Sequence, residues 1–220
     1  MEQSSNIARR RSSALKDGGA EYTAKREELV RIAALHFREK GYTATRLVDI
    51  AEEAGIDRAS LYYYVGNKEE LLRESIERVL ENNLSSAREI ANATSLSVAD
   101  RLRRIFAVLI NSYERNFPHL YVYIQEQMYQ VMRTDAPWAK DIIENTRKFE
   151  SLVVNLIQEG VQSGEFRPDI PVRLVSNALF GMFNWTHRWF VPGGAYNSEY
   201  IADAFINLFF DGLLSRSGTA

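Results

Sequence analysis

Apolar residues recur at helical spacing through nearly the whole chain, and no stretch alternates convincingly in the manner of a strand. From Lys25 to Lys40, Leu29, Ile32, Ala33 and Phe37 share one face, and Gly41 supplies a stop. Leu47, Ile50, Ala51 and Ala54 fall at i, i+3, i+4 and i+7, the spacing of a short amphipathic helix. Gly55 follows, where a helix end favours a left-handed residue. Ile56 is the apolar residue within the turn, and Asp57 can accept the free amides of a new helix start. On that next helix Leu61 and Val65 face back, while Arg58, Ala59, Tyr62 and Tyr63 point outward. Gly66 ends it, and Asn67 with Glu70 forms a capping-box start for another.

Two helices joined by a short glycine turn form a pattern whose second helix lies in the DNA major groove. Here that reader runs only from Arg58 to Tyr64, so it is roughly 10 Å long at about 1.5 Å per residue. So short a helix is marginal alone and depends on its neighbours. Tyrosine hydroxyls can donate to phosphate oxygens, and their rings can pack on thymine methyls. Arg58 is the outward arginine of the reader and the candidate for a bidentate grip on guanine. Lys68, at a helix start, suits a phosphate.

This segment resembles the DNA-binding domain of the TetR family of transcriptional regulators. The resemblance rests on Phe37, Gly41, Tyr42, Thr45, Ile50, Ala51, Ala54, Gly55, Ile56, Leu61, Tyr62, Tyr64, Val65, Lys68, Glu69 and Leu71. It implies a homodimer whose paired domains enter successive major grooves of a palindromic double-stranded operator. It also implies DNA contacts from Thr45, Arg58, Ser60, Tyr62, Tyr63, Tyr64 and Lys68, with Ala59 on the same outward face. Tyr64 stands where many members carry His or Phe, and Val48 where a polar residue is common.

Beyond the reader the helical pattern continues over 68–91, 98–116, 118–133, 135–163, 171–190 and 198–214. Nine helices, three plus six, is the architecture that the resemblance implies. The fold class is therefore all-α. A basic disordered tail is expected over 1–21, a helix-turn-helix domain over 22–67, a helical ligand-binding and dimerisation domain over 68–214, and a tail over 215–220. Arg9, Arg10, Arg11 and Lys16 read either as a solvated tail or as an arm that follows the DNA backbone.

The last two long helices are apolar on wide faces. Leu174, Ala178, Gly181, Met182 and Trp185 lie on one; Ile201, Phe205, Leu208, Phe209 and Gly212 lie on the other. Such faces are deep core or a subunit interface, and the small residues permit close approach. By resemblance they pair with their symmetry mates in a four-helix dimer interface. A two-fold dimer would match a palindrome.

The middle helices carry many aromatics: Phe106, Tyr113, Tyr121, Tyr129, Phe149 and Phe180, with Met128 and Val153. Gln125 and Asn184 add polar groups. Apolar walls with a few convergent polar atoms suit a large hydrophobic effector, while any one of these residues taken alone reads as core. Residues 184–194, NWTHRWFVPGG, resemble TetR-family regulators of fatty-acid and sterol breakdown that answer to acyl-CoA thioesters. On that resemblance Arg188 meets a CoA phosphate; on the residues alone, Trp185, Arg188 and Trp189 are packing and cation–π partners. Effector binding would shift the helix over 68–91 and misalign reading heads that must meet grooves about 34–36 Å apart. Release from DNA is the outcome that the family implies.

Composition narrows the alternatives. The net charge of −2 disfavours a general polyanion binder. Residues 1–78 carry 14 basic and 14 acidic residues, so affinity for DNA must come from placement of charge. There is no cysteine, hence no disulfide, thiolate metal site or thiol nucleophile. His36, His119 and His187 are far apart, with no metal-binding pair and no phosphate loop. No catalytic residues, metal or cofactor are expected. No apolar run approaches the roughly 18 residues of a membrane span, and a cytoplasmic protein is expected. A helical enzyme, or a helix-turn-helix used only for protein contacts, are the competing readings.

Overall fold

The computed structural model describes residues 19–124 and 137–213. Among them are nine α-helices and no strand: α1 (Ala20–Lys40), α2 (Leu47–Glu53), α3 (Arg58–Tyr64), α4 (Lys68–Ala91), α5 (Val98–Arg115), α6 (His119–Val122), α7 (Pro137–Gln162), α8 (Val172–Trp185) and α9 (Ser198–Leu213). A 3-10 turn, Thr186–Arg188, follows α8. The all-α expectation holds. Helix α1 begins at Ala20, so residues 20 and 21 are helical although the sequence pattern placed them in the tail. Among the described residues no helix is long and apolar enough to cross a membrane.

The chain divides into two compact units, and the division falls at Arg78, inside α4. The first unit comprises α1 to α3, the start of α4, and α6. Its core is built from Leu29, Ile32, Ala33 and Phe37 of α1, Ile50 and Ala51 of α2, Leu61 of α3, and Val65, Leu71 and Leu72 beyond. These are the positions that the helical spacing picked out. Placing α6 in this unit differs from the sequence division, which assigned everything after Lys68 to the second domain. The reason is local packing: Leu120 and Val122 are buried, and α6 packs on α1.

Local signals set the short helices. Gly55 adopts φ 66°, and the turn after α2 is closed by an Ile56 N–H to Ala51 carbonyl bond of 3.0 Å. A β-carbon would be strained there. The Asp57 carboxylate accepts the Ser60 N–H at 2.9 Å and starts α3. At α4 the Asn67 side chain accepts from Glu70 N–H at 2.7 Å, and the Glu70 carboxylate accepts from Gly66 N–H at 2.7 Å.

In the second unit α5 packs on α9 and α7, and α8 on α7 and α9. Ser97 caps α5 by accepting from Asp100 N–H at 3.0 Å. The Glu165 carboxylate accepts the Val98 and Ala99 amides at 3.2 and 3.0 Å, tying the start of α5 to the chain after α7. Buried Arg101 holds Glu159 and donates to the Ala91 carbonyl at 2.9 Å. Gly160 of α7 sits against Phe166, whose N–H donates to the Gly160 carbonyl at 2.9 Å. A β-carbon there would lie 2.3 Å from the ring.

Candidate functional site

The outward face of α3 is where the sequence placed it. Of its seven residues, Leu61 is the buried one. Arg58 and Ala59 are exposed, Tyr63 is at the margin of exposure, and Tyr62 and Tyr64 are half-buried. The Arg58 guanidinium lies 3.4 Å from the Tyr62 hydroxyl and 5.7 Å from its ring centre. The pair forms one projecting cationic and aromatic edge. Ser60 differs: its hydroxyl donates to Asp57 at 2.9 Å, so it completes the cap.

Tyr63 and Tyr64 are oriented by a residue outside the reader. Tyr22 of α1 stacks on Tyr64, ring centres 5.1 Å apart, and meets Tyr63 edge-on at 5.5 Å. Burial raises the Tyr22 hydroxyl above its ordinary range. The aromatic group therefore has three members, Tyr22, Tyr63 and Tyr64, while Tyr62 stands with Arg58. Tyr22 lies outside the helix-turn-helix pattern, so no spacing pointed to it.

Thr45 is buried, and its hydroxyl donates to the Gly41 carbonyl at 2.9 Å. It closes the loop before α2 and offers no hydroxyl to a phosphate. Lys68 is likewise engaged. Its ammonium donates to the carbonyls of Tyr42 (2.5 Å), Thr45 (2.8 Å) and Thr43 (3.3 Å), and lies 4.4 Å from the Tyr42 ring centre. An ammonium has three donors, and three carbonyls meet them. Burial lowers its pKa.

In the second unit the aromatic positions form a packed interior. Phe106, Tyr113, Phe149 and Val153 are buried. Phe149 meets Phe180 at 6.2 Å, and Tyr113 meets Phe190 at 5.5 Å. Asn184 is half-buried, and its carbonyl bonds with the His187 ring nitrogen at 2.5 Å. Tyr121 lies on α6 and thus in the first unit. Gln125, Met128 and Tyr129 lie outside the described residues. A separate groove of about 540 Å³ runs between the end of α4 and α7, walled by Arg88, Asn92, Arg147, Lys148 and Asn155 over Leu152 and Leu156. None of the expected effector residues lines it.

On α8 and α9, Leu174, Trp185 and Leu208 are strongly exposed, at 59%, 61% and 72%. Ala178, Gly181 and Gly212 are exposed beside them, and Met182, Phe205 and Phe209 are partly covered. A β-carbon added to Gly181 or Gly212 would meet nothing within 4 Å. Ile201 is 3% exposed and belongs to the core instead, turned inward on α9. Trp189, Val191, Tyr196 and Tyr200 enlarge the exposed apolar surface beyond the residues that helical spacing named. The Arg188 guanidinium lies 4.8 Å from the Trp185 ring centre, the cation–π arrangement.

A capped helix-turn-helix with a projecting cationic edge, followed by a separate helical unit, defines a DNA-binding transcriptional regulator. Residues 29–75 match the model of bacterial regulatory proteins of the tetR family, and residues 95–213 match that of tetracyclin repressor-like C-terminal domains. The chain belongs to the TetR family. It is 30% identical over 193 residues to the HTH-type transcriptional repressor KstR2 of Rhodococcus jostii, covering 88% of this chain and 93% of the relative. Its identity to KstR2 of Mycolicibacterium smegmatis is 27% over 202 residues, 92% and 97% of the two chains. Among solved structures, the ketosteroid transcriptional regulator KstR2 of Mycobacterium tuberculosis superposes with a TM-score of 0.79 at 26% identity, over 87% of this chain and 95% of that one. AibR, solved with isovaleryl coenzyme A and operator DNA, shares the fold at a TM-score of 0.68 and 21% identity, over 84% and 98%.

Proposed function

We propose that this regulator represses transcription by binding a palindromic operator as a homodimer, and that an acyl-CoA thioester with a large apolar acyl group releases it. The observation that carries the DNA reading is the edge made by Arg58, Ala59, Tyr62 and Tyr63 on a helix whose remaining contacts are spent on caps and core. Dimerisation is supported by the exposed apolar surface of α8 and α9, with open space over Gly181 and Gly212. It also follows from length: a seven-residue reader covers too few base pairs to bind tightly alone. The effector class is supported by the relatives, which include a ketosteroid regulator and a protein solved with a coenzyme A thioester.

The test is direct. A duplex is selected by the full-length chain from a random-sequence pool, and its retention is measured against a panel of acyl-CoAs, free CoA and the free acids. Selection of an inverted repeat, and its release by one acyl-CoA but not by the matching free acid, is expected. A selected site without two-fold symmetry would remove the dimer reading, and release by free acids alone would remove the thioester.

A further inference from the structure

Tyr22 stands in the first turn of α1, where Gly19 supplies no side-chain cap. Its ring stacks on Tyr64, centres 5.1 Å and planes 28° apart, and meets Tyr63 at 5.5 Å and 88°. Tyr63 and Tyr64 meet each other at 5.0 Å and 78°. The three rings therefore close on one another. Their separations are those of favourable stacked and edge-to-face pairs. One turn further along α1, Arg26 donates to the Tyr64 carbonyl. Tyr64 is thus met by α1 twice, at its ring and at its main chain.

Tyr22 is 9% exposed, and its hydroxyl is buried with no hydrogen-bond partner among the described residues. A hydroxyl so placed offers no donor to a phosphate, and leaving it unpaired costs stability. What Tyr22 brings to the reader is its ring. Tyr63 is exposed and Tyr64 half-buried, so both keep surface turned outward. Helix α3 buries only Leu61, and that contact does not hold the two tyrosine side chains. On a helix, χ1 of a free tyrosine divides mainly between two staggered wells. A third ring packed against both selects one arrangement.

We propose that Tyr22 is a positioning residue for operator specificity, fixing the arrangement in which Tyr63 and Tyr64 are presented to DNA and touching no DNA itself. This rests on the DNA-binding reading above. Without the ring, the reading arrangement is only a fraction of the population, and affinity falls by that fraction. Two freed tyrosines leave about one quarter of the population in it. The loss is then about fourfold per half-site and about sixteenfold for a two-fold dimer.

The full-length chain is compared with its Tyr22→Leu and Tyr22→Phe variants on the duplex selected by the wild type and on single-base-pair substitutions of it. Leucine keeps an apolar side chain in the buried position and removes the ring; phenylalanine keeps the ring and removes the hydroxyl. Binding is measured at low salt, where the weakest variant still binds, and the Tm of each variant is followed alongside. Tyr22→Leu is expected to bind the selected duplex about sixteenfold more weakly. Its base preference should flatten at the positions where Tyr63→Leu flattens it. Tyr22→Phe should restore both affinity and preference. In a chain already carrying Tyr63→Leu and Tyr64→Leu, adding Tyr22→Leu should cost nothing further, because the side chains it acts through are gone. The same loss in both backgrounds would mark a general structural role and overturn the inference. Wild-type affinity in Tyr22→Leu would overturn it as well, and so would equal weakening on every duplex. Tyr22→Phe as weak as Tyr22→Leu would assign the effect to the hydroxyl, with the same consequence. A Tm for Tyr22→Leu below the assay temperature would make the ring a requirement of folding and also sink the proposal. A wild type that selects no sequence would instead defeat the DNA-binding reading itself.

Discussion

Arg26, on the first helix, donates a hydrogen bond to the main-chain carbonyl of Tyr64, the last residue of the reading helix. The side chain and the carbonyl are far apart in sequence, yet this bond joins the frame of the first unit to its working part. Burial works against the charge of Arg26, but hydrogen bonds to Glu74 and Glu70 outweigh it and raise its pKa. The guanidinium is thus charged at any pH where the protein folds, and the link is insensitive to pH.

Arg58 stands free of the core and faces outward beside Tyr62. Substitution Arg58→Ala is expected to relax preference at one base pair per half-site by about tenfold, while Tm is unchanged. Binding to a set of singly substituted duplexes checks this. Equal weakening on every duplex would mean that Arg58 touches phosphate only.

Leu208 is 72% exposed on α9. Leu208→Glu places a charge in the proposed subunit interface. Sedimentation should then show a monomer at concentrations where the wild type is a dimer, with operator affinity reduced on the order of tenfold or more. A dimeric Leu208→Glu protein would place the interface elsewhere.

Gly160 has the ring of buried Phe166 where a β-carbon would go. Helix propensity alone predicts that Gly160→Ala gains about 1 kcal/mol. Overpacking against a buried ring costs about 1–3 kcal/mol and should win. A lower denaturant midpoint, partly restored by adding Phe166→Leu, is the expected result. A higher midpoint would show that the ring moves aside freely.

His119, on α6, has its pKa pushed down to about 4 by burial, with the Arg31 charge acting in the same direction. The unfolded value is near 6.5. Between these limits the unfolded chain binds more protons, so stability falls as pH drops. The loss from this residue between pH 7.5 and 5 is about 2 kcal/mol. Denaturation of the wild type and a His119→Gln variant at both pH values should show the smaller fall in the variant. Parallel curves would mean that His119 is protonated in the folded protein.

Much of this was written in the helical spacing. Ile50, Ala51, Leu61 and Leu71 are core because their i, i+3 and i+4 relations leave no other face for them. Asp57 and Asn67 cap the helices they precede because short acceptors at those positions reach the free amides. What spacing does not encode is a bond between distant polar groups. Arg26 and Arg101 are charged residues in buried positions, and each is there because a carboxylate and a carbonyl from elsewhere meet it. Lys68 at a helix start, and by resemblance, reads as a phosphate partner; the carbonyls it also holds come from a loop 23 to 26 residues earlier, which spacing does not reveal. Ile201 was placed on the exposed face of α9 by a pattern that is apolar around much of the helix, which cannot say which side is covered.

The reading helix buries one side chain, Leu61, and is oriented through its main chain, its cap and the packing of Tyr63 and Tyr64 on Tyr22. Carbonyl oxygens are the same whatever residue carries them. Positions 58, 59 and 62 can therefore change identity without disturbing the core or the bonds that aim the helix. A lineage of such regulators can acquire new operators by substitution at those three positions, with little loss of stability along the way.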